Sequence, residues 1–243
     1  MSDMDYGRYL ALDELLQLQR PQTTPPHPDE LLFIVVHQAS ELWFKLLLHE
    51  LETLMAALQA HDAMRGVFTM RRINGVMRIV SDQLAALETL PPQRFAQFRG
   101  YLGASSGSQS VQFRAVEAAC GLRDEHFVAA LRAHGEIPAA VSDWFARPTL
   151  QQLFLDAVAQ AGTTLEALYT GPGPSPLVLL AEDMLEFEQQ FARWRFLHVQ
   201  LVQRVIGPMT SGTGGTLGAT YLERTVRQRF FPALWDVRSR LYG

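Results

Sequence analysis

The sequence predicts an all-α fold built as one domain over residues 1–243. Three observations lead there. Apolar residues recur at spacings of three and four along most of the chain, which is the period of an amphipathic helix. No stretch alternates apolar and polar residues over a strand's length. Asp29 to Leu51 runs without a glycine or proline and is apolar for most of its length. No gap is long or polar enough for a domain linker, and neither an internal repeat nor a low-complexity segment appears.

Taken in order, Tyr6, Tyr9 and Leu10 with Leu12, Leu15, Leu16 and Leu18 predict a short amphipathic helix. Arg20 to Pro28 is a connector in which Pro25, Pro26 and Pro28 hold the chain extended. The long helix then begins at Asp29 and Glu30, acidic residues that complement the positive end of its dipole, and continues to about Ala60. Val67, Met70, Ile73, Val76, Met77, Val80, Leu84 and Leu87 predict a third helix that stops near Pro91-Pro92.

Phe95, Phe98, Tyr101 and Leu102 are again helically spaced and run into the small-residue loop Gly103 to Ser108. Val111, Phe113, Val116 and Ala119 form the next helix, which ends at Gly121. Shorter helices are predicted over Glu125 to His134, Pro138 to Phe145 and Pro148 to Leu168. After a Gly/Pro turn from Thr170 to Pro176, a second long helix spans Leu177 to Ile206 and stops at Gly207-Pro208. The glycine-rich loop Ser211 to Gly218 precedes a last helix, Tyr221 to Leu241, interrupted at Pro232.

Composition narrows the function. A hydrophobic content of 48% supports a sizeable core. The net charge of −4 and pI near 6.0 leave no basic excess to neutralise phosphates, which argues against nucleic acid as partner. Cys120 is the single cysteine and cannot form an internal disulfide, which suits a reducing cytoplasm. The acidic N-terminus has no apolar signal-peptide core, and no run of 18 or more apolar residues predicts a membrane span.

Several metal and phosphate motifs are absent. His49-Glu50 is followed by Thr53 where His-Glu-x-x-His needs its second histidine. No Glu-x-x-His pair of the di-iron bundles appears, and one cysteine excludes a zinc-thiolate cluster. The loop Gly212 to Gly218 has no P-loop lysine and follows a helix.

What remains is a pair of histidines, His37 and His198, each inside an apolar face of a long helix. A neutral imidazole there is either a quiet core residue or a ligand to heme iron, with the second imidazole over the opposite face. His27, His49, His61, His126 and His134 fall at loops or polar positions. Arg99 stands four residues before the Gly103 loop, either solvated or paired with a carboxylate, at roughly 1.5–3 kcal/mol per charge-assisted hydrogen bond. In the loop after His198, glycines allow close backbone approach and Thr213 offers a hydroxyl; a surface loop is the alternative.

Together these stretches resemble the tryptophan 2,3-dioxygenase family, all-helical enzymes with a histidine-ligated heme. The matching pieces are Tyr6-Gly7-x-Tyr9-Leu10, Phe33-Ile34-x-x-His37-Gln38-x-x-Glu41-Leu42-Trp43, and Phe98-Arg99-x-x-Leu102-Gly103-x-Ser105-Ser106-Gly107-x-Gln109-Ser110. Trp194-Arg195-x-x-His198, Arg204-x-Ile206-Gly207, Gly212-Thr213-Gly214-Gly215 and Phe230-Phe231-Pro232-x-Leu234-Trp235-x-Val237-Arg238 complete the set, in the family's order.

The resemblance implies a helical bundle whose N-terminal segment is exchanged between subunits of a homodimer or homotetramer. It implies heme b held by His198 as proximal ligand, and His37 as the distal catalytic residue that hydrogen-bonds the indole N–H. Arg99 would bind the substrate carboxylate, with Gly212 and Thr213 near its ammonium and carboxylate. Phe33, Phe95 and Leu102 would line the indole pocket, Tyr6 and Tyr9 would reach it from a neighbouring subunit, and Ser106 and Gly107 would lie at the heme edge. Departures bear on the substrate rather than on the heme site: Phe95 stands where the family often has tyrosine, Ser108 where phenylalanine is common, and Leu84 where a tryptophan is often found. The region from about 122 to 176 is also shorter than usual.

The expected activity is insertion of dioxygen across the indole 2,3-bond of L-tryptophan or a substituted tryptophan, giving an N-formylkynurenine-type product. Insertion of one oxygen atom, giving a 2-oxindole or hydroxylated product, is the alternative in the same superfamily. A non-catalytic heme sensor or scaffold is a further one.

Overall fold

The computed structural model describes residues 5–103, 105, 107–122, 139–208, 210 and 219–242. Helix α3 (Glu30–Gln59) shows why the chain folds as it does. Leu47, Leu51, Leu54 and Leu58 follow one another at three- and four-residue steps, and each is at most 2% exposed. Burying one such side chain contributes roughly 1.5–3 kcal/mol. Helix α4 (Ala63–Asp82) answers with Met70, Ile73, Met77 and Val80, all fully buried. Asp62 caps its start by accepting from the Arg65 backbone N–H at 2.9 Å.

The third wall is helix α11 (Pro176–Ile206), which presents Leu180, Met184, Phe187 and Phe191 to the same core. Ser175 accepts from the Val178 backbone N–H, and Pro176 takes the first helical position, where no N–H is needed. Gly66 sits where α4 crosses both neighbours. A Cβ there would come within 3.1 Å of the Leu180 side chain and 3.4 Å of that of Leu54, so any larger residue would make the two leucines shift.

Shorter elements close the bundle. Helices α5 (Leu84–Glu88) and α6 (Pro92–Arg99) follow α4, and a 3-10 turn over Gly100–Leu102 ends at Gly103, whose φ of +56° favours glycine. Of helices α7 (Val111–Ala119), α8 (Ala139–Ala146), α9 (Leu150–Gln160) and α10 (Leu165–Thr170), α7 and α9 pack on α3, α8 on α7 and α10 on α11. The chain finishes with α12 (Ala219–Val226) and α13 (Pro232–Tyr242). By length and composition α3 could cross a membrane. Its second half is buried in the core through Leu47, Leu51, Leu54 and Leu58, and the helix carries buried Glu30 and Glu50.

The sequence expectations hold for the two long helices to within a residue or two. Three helices divide where periodicity predicts continuity. The N-terminal one splits into α1 (Tyr6–Leu10) and α2 (Leu12–Leu15) because Ala11 takes a left-handed conformation, φ +49°. The third splits at Gln83. Pro148 to Leu168 splits into α9 and α10, because Gly162 turns at φ +69° and Thr164 starts a new helix by accepting from the Ala167 N–H. The expected Glu125–His134 helix, Pro138 and the Ser211–Gly218 loop lie outside the described residues.

Candidate functional site

The first half of α3 and the last half of α11 bring their side chains together over α5. Val36, Leu84, Leu87 and Leu201 form a buried cluster there, joined by Leu32, Phe33, Trp194, Leu197 and Val205. A second cluster, Leu90, Phe95 and Phe98, packs beside it with Phe33, Leu102, Val205 and Ile206. Phe33 belongs to both, so the two form one continuous apolar wall.

His37 stands on this wall one turn after Phe33, with ring centroids 4.1 Å apart. Its Nδ1 lies 2.7 Å from the Phe33 carbonyl oxygen. A carbonyl only accepts, so Nδ1 carries the proton and, in the neutral ring, Nε2 is left with its lone pair. Crowding by the surrounding chain lowers the imidazole's pKa even though part of the ring is exposed, while the Phe33 carbonyl and Glu41 oppose the shift.

Across the wall, burial pushes His198 down to about 4, and the nearby His37 adds to the effect. The ring is therefore neutral at physiological pH. The Trp194 indole stacks on it, centroids 5.3 Å apart and planes within 6°. Among the described residues no group hydrogen-bonds either His198 ring nitrogen. A neutral imidazole with an uncommitted lone pair, set in an apolar wall, is the donor that a single-histidine heme iron needs. Among the described residues no three His, Cys, Asp or Glu side chains converge as a metal cage would require. This donor set fits an iron whose remaining ligands would come from a macrocycle.

Arg99 closes α6, one residue beyond buried Phe98 and four beyond Phe95, which is 8% exposed. Phe33, Phe95 and Phe98 pack with centroids 5.2 to 5.8 Å apart, an all-hydrocarbon surface beside the guanidinium's helix. Leu102 touches the same cluster, and Gly107 is exposed on a 3-10 turn over Gly107–Gln109. His27 packs at a tilt against Phe98, ring centroids 5.1 Å apart, and its Nε2 lies 2.9 Å from Gln97 Oε1. Tyr6 and Tyr9 are each 75% exposed, and nothing in α1 is buried within its own chain. Ser106, Gly212, Thr213 and the side chain of Ser108 lie outside the described residues.

Two buried ionic groups brace the site. Glu117 on α7 receives Arg195 at 2.6 Å and Arg114 at 2.7 Å, and Arg195 also donates to the Thr225 carbonyl at 3.0 Å. This ties α11, one turn before His198, to α7 and α12. Glu188 accepts from the backbone N–H groups of Phe230 and Phe231 at 2.7 and 2.8 Å, from Trp235 Nε1 at 2.6 Å and from Arg229 at 3.1 Å. It thereby seats the Phe230-Phe231-Pro232 corner that opens α13. Sequence reasoning missed both acids; the available signal was a lone carboxylate in the apolar stripe of a helix, which needs a partner when buried.

A separate cleft of about 610 Å³ between α4, α11 and α13 is lined by Arg71, Arg78, Asp183 and Arg238. Arg71 pairs with Asp183, Arg78 with Glu186 and Arg238 with Glu182, so its charges are already matched.

The family model described as tryptophan 2,3-dioxygenase matches residues 1–140 and 151–241. The chain is 38% identical to the tryptophan 2,3-dioxygenase of Kineococcus radiotolerans, covering 98% of this chain and 92% of that one. It is equally similar to that of Herpetosiphon aurantiacus, at 38% identity over 98% of both chains. The Myxococcus xanthus tryptophan 2,3-dioxygenase is 36% identical over 97% of this chain and 89% of its own. With a helical bundle, two neutral histidines on one apolar wall and a match along nearly its whole length, this chain belongs to the tryptophan 2,3-dioxygenase family.

Proposed function

We propose that this chain is a heme-dependent oxidoreductase that inserts both atoms of dioxygen across the indole 2,3-bond of L-tryptophan or a substituted tryptophan, giving an N-formylkynurenine-type product. The observation that carries this reading is the pair His37 and His198, both held toward the neutral state, on one apolar wall shared by α3 and α11.

Heme b, when bound, supplies the activation of dioxygen. His198 is the residue that would hold its iron, and Ser106 and Gly107 are assigned to the heme edge. His37 orients the substrate: with Nδ1–H committed to the Phe33 carbonyl, its Nε2 accepts the indole N–H. Phe33, Phe95 and Leu102 wall the indole and exclude water from the reacting carbons. Arg99 pairs with the substrate carboxylate, with Gly212 and Thr213 beside the ammonium and carboxylate.

The exposed α1, with Tyr6 and Tyr9, supports exchange of the N-terminal segment between subunits of a homodimer or homotetramer. Buried, unpaired Cys120 suits a reducing cytoplasm.

Oxygen uptake tests the reading. Ferrous, heme-reconstituted protein should consume dioxygen when given L-tryptophan or one of a panel of ring- and side-chain-substituted tryptophans. No uptake with any member would favour a heme sensor or scaffold instead.

A further inference from the structure

Trp194 opens the Trp194-Arg195-x-x-His198 motif, yet the reaction described above gives it nothing to do. We propose that Trp194 is a positioning residue for His198, fixing the plane of the imidazole presented to the iron; this rests on His198 being the proximal ligand.

Residues four apart on a helix lie one above the other, so the indole and imidazole share a face of α11. Contact alone does not make the planes coincide, and unconstrained aromatic neighbours adopt tilted or edge-on arrangements as readily. Here the planes differ by 6° at a centroid separation of 5.3 Å. An imidazole stacked in this way loses most of its freedom to rotate about Cβ–Cγ.

The indole can impose that plane because it is itself held on three sides. Phe44 of α3 meets it edge-on at 6.3 Å and 87°, Phe113 of α7 lies at 5.2 Å and 41°, and Phe191 of α11 at 6.0 Å and 52°. The next residue fastens the backbone. Arg195 is 4% exposed, paired with Glu117, bonded to the Thr225 carbonyl and packed over the rings of Phe191 and Phe230. The turn preceding His198 is thus locked to α7 and α12 before the imidazole is reached.

One feature separates this arrangement from ordinary core packing. Trp194 Nε1 is buried with no hydrogen-bond acceptor among the described residues. An unsatisfied buried donor is destabilising, and a phenylalanine would pack here without one. What the indole contributes in exchange is a larger, more electron-rich face against the imidazole. That face fixes its plane and favours positive character on the ring, which strengthens its donation to iron.

The test uses full-length, heme-loaded protein with Trp194→Leu, Trp194→Phe and His198→Ala, read by resonance Raman spectroscopy of the ferrous iron–imidazole stretch, by reduction potential and by the rate of heme loss. Trp194→Leu should shift or broaden the stretch, raise the potential and speed heme loss roughly tenfold, the size of effect usual for residues that orient a metal's ligand. Trp194→Phe should fall between it and the parent.

A Leu variant with the parent's band, potential and heme-loss rate would overturn the proposal. If the Leu variant does not fold, a Phe variant unchanged in all three overturns it equally. Retention of the parent band in His198→Ala would instead remove the proximal-ligand reading on which this rests. Loss of the band there, with unchanged Trp194 variants, removes the positioning role alone.

Discussion

The His37 imidazole donates its Nδ1–H to the Phe33 carbonyl at 2.7 Å, within one turn of the same helix, and so leaves Nε2 as an acceptor. The tautomer is decided by the backbone of α3 before any substrate arrives. A residue poised in this way discriminates substrates by whether they carry an indole N–H.

His37→Phe is therefore expected to lower kcat/KM for tryptophan about 3- to 10-fold, the value of one neutral hydrogen bond. The sharper check compares tryptophan with 1-methyltryptophan. The parent should prefer tryptophan, and the variant should lose most of that preference; an undiminished preference contradicts the acceptor role.

Arg99→Leu should raise KM for tryptophan by about 10- to 150-fold, equivalent to roughly 1.5–3 kcal/mol for a lost charge-assisted bond. Because the carboxylate is remote from the reacting carbons, kcat should change less. Tryptamine, which has no carboxylate, should bind parent and variant alike, and a variant weakened equally toward both ligands would point to collapse of the Phe95–Phe98 wall instead.

Acid should destabilise the heme-free protein. The folded-state pKa of His198, about 4, lies below the value near 6.5 for an unfolded chain, and His37 is shifted in the same direction. Between those limits the unfolded chain binds more protons, so stability is full above about pH 6.5 and is lost progressively toward pH 4. His198 contributes at most roughly 3–4 kcal/mol to this loss. Urea denaturation from pH 8 to 4 should show the decline, and His198→Gln should flatten it.

Glu188→Ala should be among the most destabilising single changes outside the site. It orphans the N–H groups of Phe230 and Phe231, the Trp235 indole N–H and Arg229. A cost of about 3 kcal/mol would lower Tm by roughly 6–12 °C in a chain of this size. Glu188→Gln, which keeps an acceptor, should lose less on thermal denaturation followed by circular dichroism.

Tyr6→Ala combined with Tyr9→Ala probes the exchanged segment. Both side chains are three-quarters exposed within one chain, so the unfolding free energy of a single subunit should move by no more than about 0.5 kcal/mol. KM for tryptophan should rise if the pair reaches a neighbouring pocket, and an unchanged KM argues that α1 stays clear of it.

The long helices were legible in the sequence because their apolar stripes are uninterrupted and their ends carry strong signals: Asp29-Glu30 at one start, Ser175-Pro176 at the other, and Gly207 at a stop. The breaks at Ala11 and Gln83 were not legible, since neither residue is a helix breaker; at Ala11 the turn is local, its N–H capping the Arg8 and Gly7 carbonyls. His37 and His198 stood out only as polar residues in apolar faces, and spacing alone gives no reason to pair them. Their relation arises from contacts between helices far apart in sequence, through Phe33, Val36, Leu197 and Leu201 over α5. Glu117 and Glu188 stayed hidden for a similar reason: Arg195, which Glu117 holds, and the Phe230 and Phe231 amides, which Glu188 holds, lie more than 40 residues away.

The most direct test of the central claim is the fate of isotopically labelled dioxygen. Ferrous, heme-reconstituted protein turning over tryptophan under ¹⁸O₂ should release a product carrying two labelled atoms, as a ring-opened N-formylkynurenine-type compound. A product that gains a single labelled oxygen, with the indole ring intact, would contradict the dioxygenase account and assign the chain to monooxygenation.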